Sequence, residues 1–175
     1  MDGPKDHTLY TRFSTILILI LKDIRFERGV AQGHIAQHVG KSPNAWTKIE
    51  NRGSPLSTDV FAGACWSLGI SVSEASSLAE QIIRILSMNN FYTLTSDIDE
   101  VEDELLNLVS RYFESPGFNF LKTQIGGIIS IRSLNIFSPT NFVCAPPTVV
   151  RYIYDESFRG WVDNGCTGTI SYIQP

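Results

Sequence analysis

The sequence predicts a helical domain, residues 11–88, followed by a small α+β domain, residues 92–175, with an antiparallel sheet. In the first part, apolar residues recur at helical spacing and glycines interrupt the pattern. In the second part, β-branched and aromatic residues dominate beyond residue 116, which is typical of strands. The polar segment 89–96 lies between the two patterns, and we place the domain boundary there.

Helix starts and stops are easily found in the first domain. The first helix is expected from about Thr11 to Arg28. Its run Ile16–Leu21 is apolar on every side, so this helix is either buried on several sides or meets a partner chain. Further helices are expected at 31–39, 43–50, 58–68 and 74–88. Their capping and stop residues would be Gly29, Gly40, Ser42, Pro43, Ser57 or Thr58, Gly69 and Ser73.

A helix from about 97 to 113, capped by Ser96, would open the second domain, because acidic residues crowd its first turns. Asp155 and Glu156 would form a hairpin turn between two of the strands that follow. Aromatic side chains would fill the core of this domain. The expected strands are Ile125–Phe137, Thr148–Tyr154, Ser157–Val162 and Thr169–Ile173.

The charge of the chain is unevenly distributed. The formal net charge of −4 argues against a protein that coats nucleic acid without sequence preference. Residues 1–90 hold nine basic and eight acidic residues, which gives +1. Residues 91–175 hold five basic and ten acidic residues, which gives −5. The N-terminal half is therefore the better candidate to face phosphates.

Cysteine usage and motif content exclude several classes of protein. The three cysteines are widely spaced and form no CxxC pair, so we expect no disulfide framework or zinc site and a reducing cytoplasm. The run Ile16–Leu21 is too short to span a bilayer. His34 and His38 lie one helical turn apart without a third ligand, so we expect surface histidines and no metal. No catalytic or cofactor-binding motif is present, and we expect no enzyme activity.

Residues 31–50 have the pattern of two short helices joined by a tight turn at Gly40. Apolar residues of both helices can pack them together at a steep angle. One face of the second helix then stays exposed. Short polar or basic side chains on that face can reach base edges and phosphates: Asn44, Thr47, Lys48 and Asn51.

Residues 25–55 resemble the phage-repressor and Cro-like helix-turn-helix family, also called the xenobiotic-response-element type. The matching residues are Arg25, Gly29, Gln32, Ile35, Ala36, Gly40, Ser42, Ile49, Glu50, Gly53 and Pro55. The resemblance covers about half of the chain and implies a five-helix, lambda-repressor-like domain. Two residues depart from the family pattern. Ala31 replaces the usual Ser or Thr cap, and Lys41 replaces a Val or Ile that the family usually buries in the turn.

The resemblance also implies roles for individual residues. Asn44 and Lys48 would read adenine and guanine edges in the major groove, and Pro43 would offer an apolar contact. Arg25 and Glu50 would form a salt bridge between helices. Thr47 would reach a base or a phosphate. The remaining candidates would contact phosphates, which set position rather than sequence: Gln32, Lys41, Ser42, Asn51 and Arg52.

The sequence therefore predicts a cytoplasmic, repressor-type transcriptional regulator that binds a palindromic DNA operator as a homodimer. Either the second domain or the run Ile16–Leu21 would pair the subunits. Two alternatives stay open. The C-terminal half would bind a partner protein, as an antitoxin does, with DNA binding serving autoregulation. Otherwise it would hold a small-molecule effector in an aromatic pocket.

Overall fold

The computed structural model describes residues 8–52, 54–96, 102–136 and 145–168. The chain divides into two compact units, Met1–Asn107 and Leu108–Pro175. Helices make up most of the described residues, and a small parallel sheet accompanies them. The domain limits expected from the sequence, 11–88 and 92–175, stay a prediction.

The first unit contains helices in all five segments where the sequence predicts them. In chain order its elements are β1 (Leu9–Arg12), α1 (Phe13–Glu27), α2 (Gln32–His38), α3 (Pro43–Arg52), α4 (Thr58–Ser67), α5 (Val72–Ser87) and β2 (Phe91–Leu94). Ser57 caps α4 through the amide of Val60, as expected. The cap of α5 is Ser71 and not Ser73, because the Ser71 hydroxyl accepts from the amide of Glu74. The five-helix, lambda-repressor-like arrangement itself stays a prediction.

Helix α1 is the buried centre of the first unit. It packs against α3, α4, α5 and β1. Within its apolar run, Ile16, Leu19 and Ile20 have no exposed surface, and Ile18 and Leu21 have 2% each. The run is a helix, and five of its six residues are buried by the chain itself, while Leu17 is half-buried. It therefore exposes little apolar surface for pairing subunits, which argues against this one of the two surfaces that the sequence offers.

Three helices of the first unit end in the same way. Gly29, Gly40 and Gly69 have φ angles of +62°, +65° and +64°. After α2, the Gly40 amide donates to the carbonyl of Gln37 and the Lys41 amide donates to that of Ala36. This is the Schellman arrangement, in which a left-handed glycine turns the chain back onto the last helical carbonyls. The glycine stops expected from the sequence are confirmed.

Strands β1 and β2 pair in parallel, with Leu9 opposite Phe91 and Arg12 opposite Leu94. The sequence reading missed both strands, because each is only four residues long. Segment 89–96, where we expect a domain boundary, contains β2. The pairing brings the chain before α1 beside the chain that follows α5.

The described residues beyond β2 are helical where they are regular. They form α6 (Glu104–Glu114), α7 (Pro116–Leu121), α8 (Ser133–Ile136), α9 (Thr148–Tyr154) and α10 (Glu156–Asp163). None of the described helices in either unit is long and apolar enough to cross a membrane.

The strands expected at Thr148–Tyr154 and Ser157–Val162 are wrong, since α9 and α10 occupy these segments. Residues 125–136 hold no strand and end in α8, while Phe137 and Thr169–Ile173 lie outside the described residues. The antiparallel sheet is not confirmed. In α9, side chains are buried at 149, 150, 152 and 153 and less so at 151 and 154, which is helical spacing. Packing has overridden local strand propensity.

Two further boundaries differ from the expectation. Helix α6 begins at Glu104, where the Asp103 carboxylate accepts from the amide of Leu106, and not after Ser96. Residues 97–101 lie outside the described part of the chain. Asp155 does not form a hairpin turn, because its carboxylate caps α10 through the amide of Phe158 at 2.9 Å.

The second unit has an aromatic cluster, as expected for its core. The ring centroid of Tyr112 lies 5.0–5.2 Å from those of Phe113, Phe118 and Tyr152, and the centroids of Phe113 and Phe118 lie 5.1 Å apart. The Tyr152 hydroxyl donates to Asp163 at 2.7 Å. Burial, together with this carboxylate, raises the pKa of Tyr152 well above its usual range. Some expected core aromatics are not buried: Phe120 is exposed, and Tyr154 and Trp161 are half-buried.

Candidate nucleic-acid interface

Helices α2 and α3 pack together through four buried apolar side chains. Ile35 and Ala36 of α2 have no exposed surface, and Trp46 and Ile49 of α3 have 1% and 5%. Helix α2 begins after Ala31, which provides no side-chain cap, as expected. Helix α3 begins firmly, because the Ser42 hydroxyl accepts from the amide of Ala45 at 3.2 Å. The two helices thus form a compact pair with a defined start for α3.

The opposite side of α3 is open to solvent. Asn44 and Lys48 are exposed and Asn51 is half-buried. Their spacing of four and three residues puts all three on one helix face. Pro43 is also exposed, at the first helical position. This face carries an amide, an ammonium and a second amide, which are the groups that recognise base edges and phosphates.

Glu50 fixes the buried side of α3 to its neighbours. Its Oε1 accepts from Nε of Arg25 in α1 at 2.8 Å, and Nη2 of the same guanidinium lies 2.7 Å from it in a salt bridge. Its Oε2 accepts from Gln32 Nε2 of α2 at 2.6 Å and from Trp46 Nε1 at 3.0 Å. Glu50 is 2% exposed. The predicted Arg25–Glu50 salt bridge is confirmed, and it is one part of a larger network.

Both the nitrogen and the oxygen of the Gln32 side-chain amide take part in hydrogen bonds. Besides its donation to Glu50, its Oε1 lies 3.3 Å from the hydroxyl of Thr47. That hydroxyl also lies 3.0 Å from the carbonyl of Pro43. An amide nitrogen carries two protons, so one N–H of Gln32 has no hydrogen-bond partner among the described residues. The phosphate role of Gln32 and the DNA role of Thr47 stay predictions, and both side chains tie α2 to α3.

Asn51 lies at the border between the open face and the interior. Its Oδ1 accepts from the ammonium of Lys22 in α1 at 2.7 Å, and Lys22 is only 5% exposed. Arg52 is the last residue of α3. Lys41 is exposed in the turn before α3, in keeping with a charge kept in solvent where the family buries an apolar residue.

The charge of this region favours an anionic partner. Residues 29–57 contain three basic residues, Lys41, Lys48 and Arg52, and one acidic residue, Glu50, which gives +2. The Glu50 carboxylate is buried and paired with Arg25. Of the described charged side chains in this segment, only Lys41 and Lys48 are exposed, so its exposed charge is positive, although the whole chain carries −4.

Other kinds of site have less support among the described residues. No cluster of three or more His, Cys, Asp or Glu side chains there is placed to hold a metal ion. His34 and His38 are exposed on α2. A cavity of about 260 Å³ lies in the first unit, lined by Arg12, Phe13, Ser14, Pro55, Leu56, Leu94, Thr95 and Ser96. Cys65 is buried, which raises the pKa of its thiol to about 11. Such a thiol is a poor nucleophile near neutral pH.

The structure brings together the predicted site residues of α2 and α3 and adds residues that the sequence reading missed. Lys22 and Trp46 contribute to the same region through Asn51 and Glu50. Besides its apolar packing, Trp46 donates its indole N–H to Glu50, one helical turn away. Lys22 is 29 residues from Asn51 in the chain. The one signal in the sequence is that Lys22 directly follows the apolar run Ile16–Leu21, where a buried ammonium requires a polar partner.

Comparison with known proteins adds no family: no family model matches the chain, and no curated protein or solved structure is significantly similar to it. The function of the chain is therefore inferred from its own residues.

Proposed function

We propose that this chain is a sequence-specific DNA-binding transcriptional regulator of the repressor type, with α3 as its recognition helix. One observation carries the proposal. Helix α3 presents Asn44 and Lys48 on an open face, while Trp46, Ile49 and Glu50 hold its other face against α1 and α2. A helix fits the major groove, and its side chains can then reach base edges.

The rigidity of α3 favours base reading over loose electrostatic binding. Specific contacts require side chains held in a fixed geometry. Glu50 supplies that geometry through bonds to Arg25, Gln32 and Trp46. The positive exposed charge of residues 29–57 favours the approach of phosphates. The sequence resemblance to phage repressors points to the same function.

A single recognition helix reads few base pairs, so we propose that the regulator binds as a homodimer. Helix-turn-helix dimers contact two half-sites about 34–36 Å apart, and their operators are palindromic. Because five of the six residues of the run Ile16–Leu21 are buried, we assign the pairing of the subunits to the second unit. The mass of the protein in solution, alone and with DNA, tests this part of the proposal.

Selection of bound duplexes from a random DNA pool tests the main proposal. We expect the parent protein to enrich one sequence, with two related half-sites. The variants Asn44→Ala and Lys48→Ala should each weaken binding to that sequence by about tenfold or more, since a good base contact contributes about 1–3 kcal/mol. They should also relax the preference at one position of each half-site.

Matched controls are available in the second unit. Asn119 and Lys122 are exposed there, so Asn119→Ala and Lys122→Ala remove the same side chains far from α3 in sequence. We expect both to bind the selected duplex like the parent. If the parent enriches no sequence, the proposed function is wrong. If the α3 variants bind like their controls, α3 is not the recognition helix.

A further inference from the structure

The ammonium of Lys22 contacts the last turn of α3 and is almost completely buried, which is unusual for a charged group. Lys22 is 5% exposed, and its Nζ donates to Oδ1 of Asn51 at 2.7 Å. Lysine is seldom buried this deeply, because removing its ammonium from water costs free energy unless polar groups compensate it. The Asn51 amide oxygen is such a group.

This bond fixes the orientation of the Asn51 amide. An ammonium only donates hydrogen bonds, so the atom facing it must be the amide oxygen. The amide is planar, and its NH₂ group therefore points away from Lys22. Among the described residues, the Asn51 Nδ2 has no hydrogen-bond partner. The chain thus holds two amide protons in a set direction at a half-buried site.

The position of Asn51 suggests what those protons meet. Asn51 shares a helix face with Asn44 and Lys48, in the last turn of α3. The carbonyls of a last turn carry partial negative charge, which opposes the approach of an anion. The ammonium of Lys22 offsets that charge. Oriented N–H groups next to an offset dipole suit a phosphate oxygen of the DNA backbone.

We propose that Lys22 is a positioning residue: it holds the Asn51 amide so that its NH₂ donates to a DNA phosphate. The proposal rests on the proposed function, because it names how the end of the same recognition helix contacts DNA. It assigns Lys22 no contact with DNA itself.

A double-mutant cycle tests the coupling between the two residues. Binding of the pool-selected duplex is measured at 0.15 M salt for Lys22→Met, Asn51→Ala and the double variant. Each single variant should weaken binding about tenfold, as expected for a lost hydrogen bond to a charged group. In the Asn51→Ala background, Lys22→Met should change binding less than about twofold, because its effect acts through Asn51. Independent, multiplying effects would overturn the proposal.

Two further measurements separate positioning from general stability. Asn51→Asp keeps an oxygen for Lys22 but removes the amide protons, so it should keep the melting temperature and lose binding. Asn51→Asp that binds like the parent would overturn the proposal. In the unmodified protein, hydrogen exchange of the Asn51 side-chain amide should be fast when free and slower on the duplex. Exchange that DNA does not slow would also overturn it, even if Lys22→Met does not fold.

These measurements distinguish a failure of the proposed function from a failure of the role proposed for Lys22. A parent protein that selects no DNA sequence contradicts the function. If the parent selects a sequence but the Asn51 variants bind it as tightly as the parent does, only the role of Lys22 and Asn51 is contradicted. Because a phosphate contact carries no sequence information, Asn51→Ala should weaken specific and random duplexes by the same factor. A changed sequence preference would assign Asn51 to a base instead and overturn the proposal.

Discussion

The Glu50 carboxylate accepts hydrogen bonds from side chains of α1, α2 and α3, from Arg25, Gln32 and Trp46 respectively. All of these donors converge on a group that is 2% exposed. A buried carboxylate is tolerated only when such donors replace its lost hydration. The orientation of the proposed recognition helix therefore depends on one residue that faces away from DNA.

At the residue scale we predict that Glu50→Gln lowers the free energy of unfolding by about 3–5 kcal/mol. The substitution keeps the shape of the side chain but leaves the buried Arg25 without its counter-charge, which is strongly destabilising. Urea unfolding followed by circular dichroism measures the change. Glu80→Gln, at an exposed position of α5, is the control and should shift stability by less than about 0.5 kcal/mol. Equal effects of the two substitutions would contradict the role given to Glu50.

At the element scale, two glycines differ in backbone conformation: Gly33 lies within α2, and Gly40 lies just after it. Gly33 lies inside the helix, and a Cβ added there would meet no atom within 4 Å. Gly40 follows the helix with a φ of +65°, and a Cβ there would also meet no atom within 4 Å. Space is open at both positions, so backbone conformation alone separates them.

We therefore predict opposite signs for the same substitution at the two positions. Gly33→Ala should stabilise the protein by about 0.4–1 kcal/mol, because alanine restricts the unfolded chain and favours the helix. Gly40→Ala should destabilise it by about 1–2 kcal/mol, because the left-handed region is unfavourable for a residue with a Cβ. Thermal unfolding of the two variants measures the difference, and a shift of both in the same direction would refute the explanation.

On the scale of the whole molecule, a buried carboxylate joins distant parts of the first unit. Asp103 has no exposed surface and accepts from Thr11, Thr15 and the Arg12 guanidinium. Its partners at the end of β1 and the start of α1 are 88–92 residues away in the chain. It also begins α6 through the amide of Leu106. These hydrogen bonds join the first described residues of the unit to residues near its end.

We predict that Asp103→Asn lowers the free energy of unfolding by about 3–5 kcal/mol, since Arg12 loses its buried counter-charge. The neighbouring Glu102 is exposed, and Glu102→Gln should change stability by less than about 0.5 kcal/mol. Urea unfolding of both variants tests this. If Asp103→Asn and Glu102→Gln unfold at the same urea concentration, the contact does not hold the first unit together.

The sequence by itself determined where the helices of the first unit lie. Glycine stops and serine caps are local signals, because they satisfy backbone groups within a few residues, and they located α1 to α4 closely. The Arg25–Glu50 pair followed from a resemblance in a continuous segment. The face with Asn44 and Lys48 followed from helical spacing, and its role in DNA binding stays a prediction.

Tertiary structure decided the rest. The β1–β2 pairing, the Asp103 contacts and the Lys22–Asn51 bond join residues far apart in the chain, and no local pattern encodes them. In α9 and α10, β-branched and aromatic residues are helical because burial in the second unit outweighs their strand propensity. Local rules place the ends of elements, whereas the long-range burial of charges and aromatic rings decides which elements form and how they join.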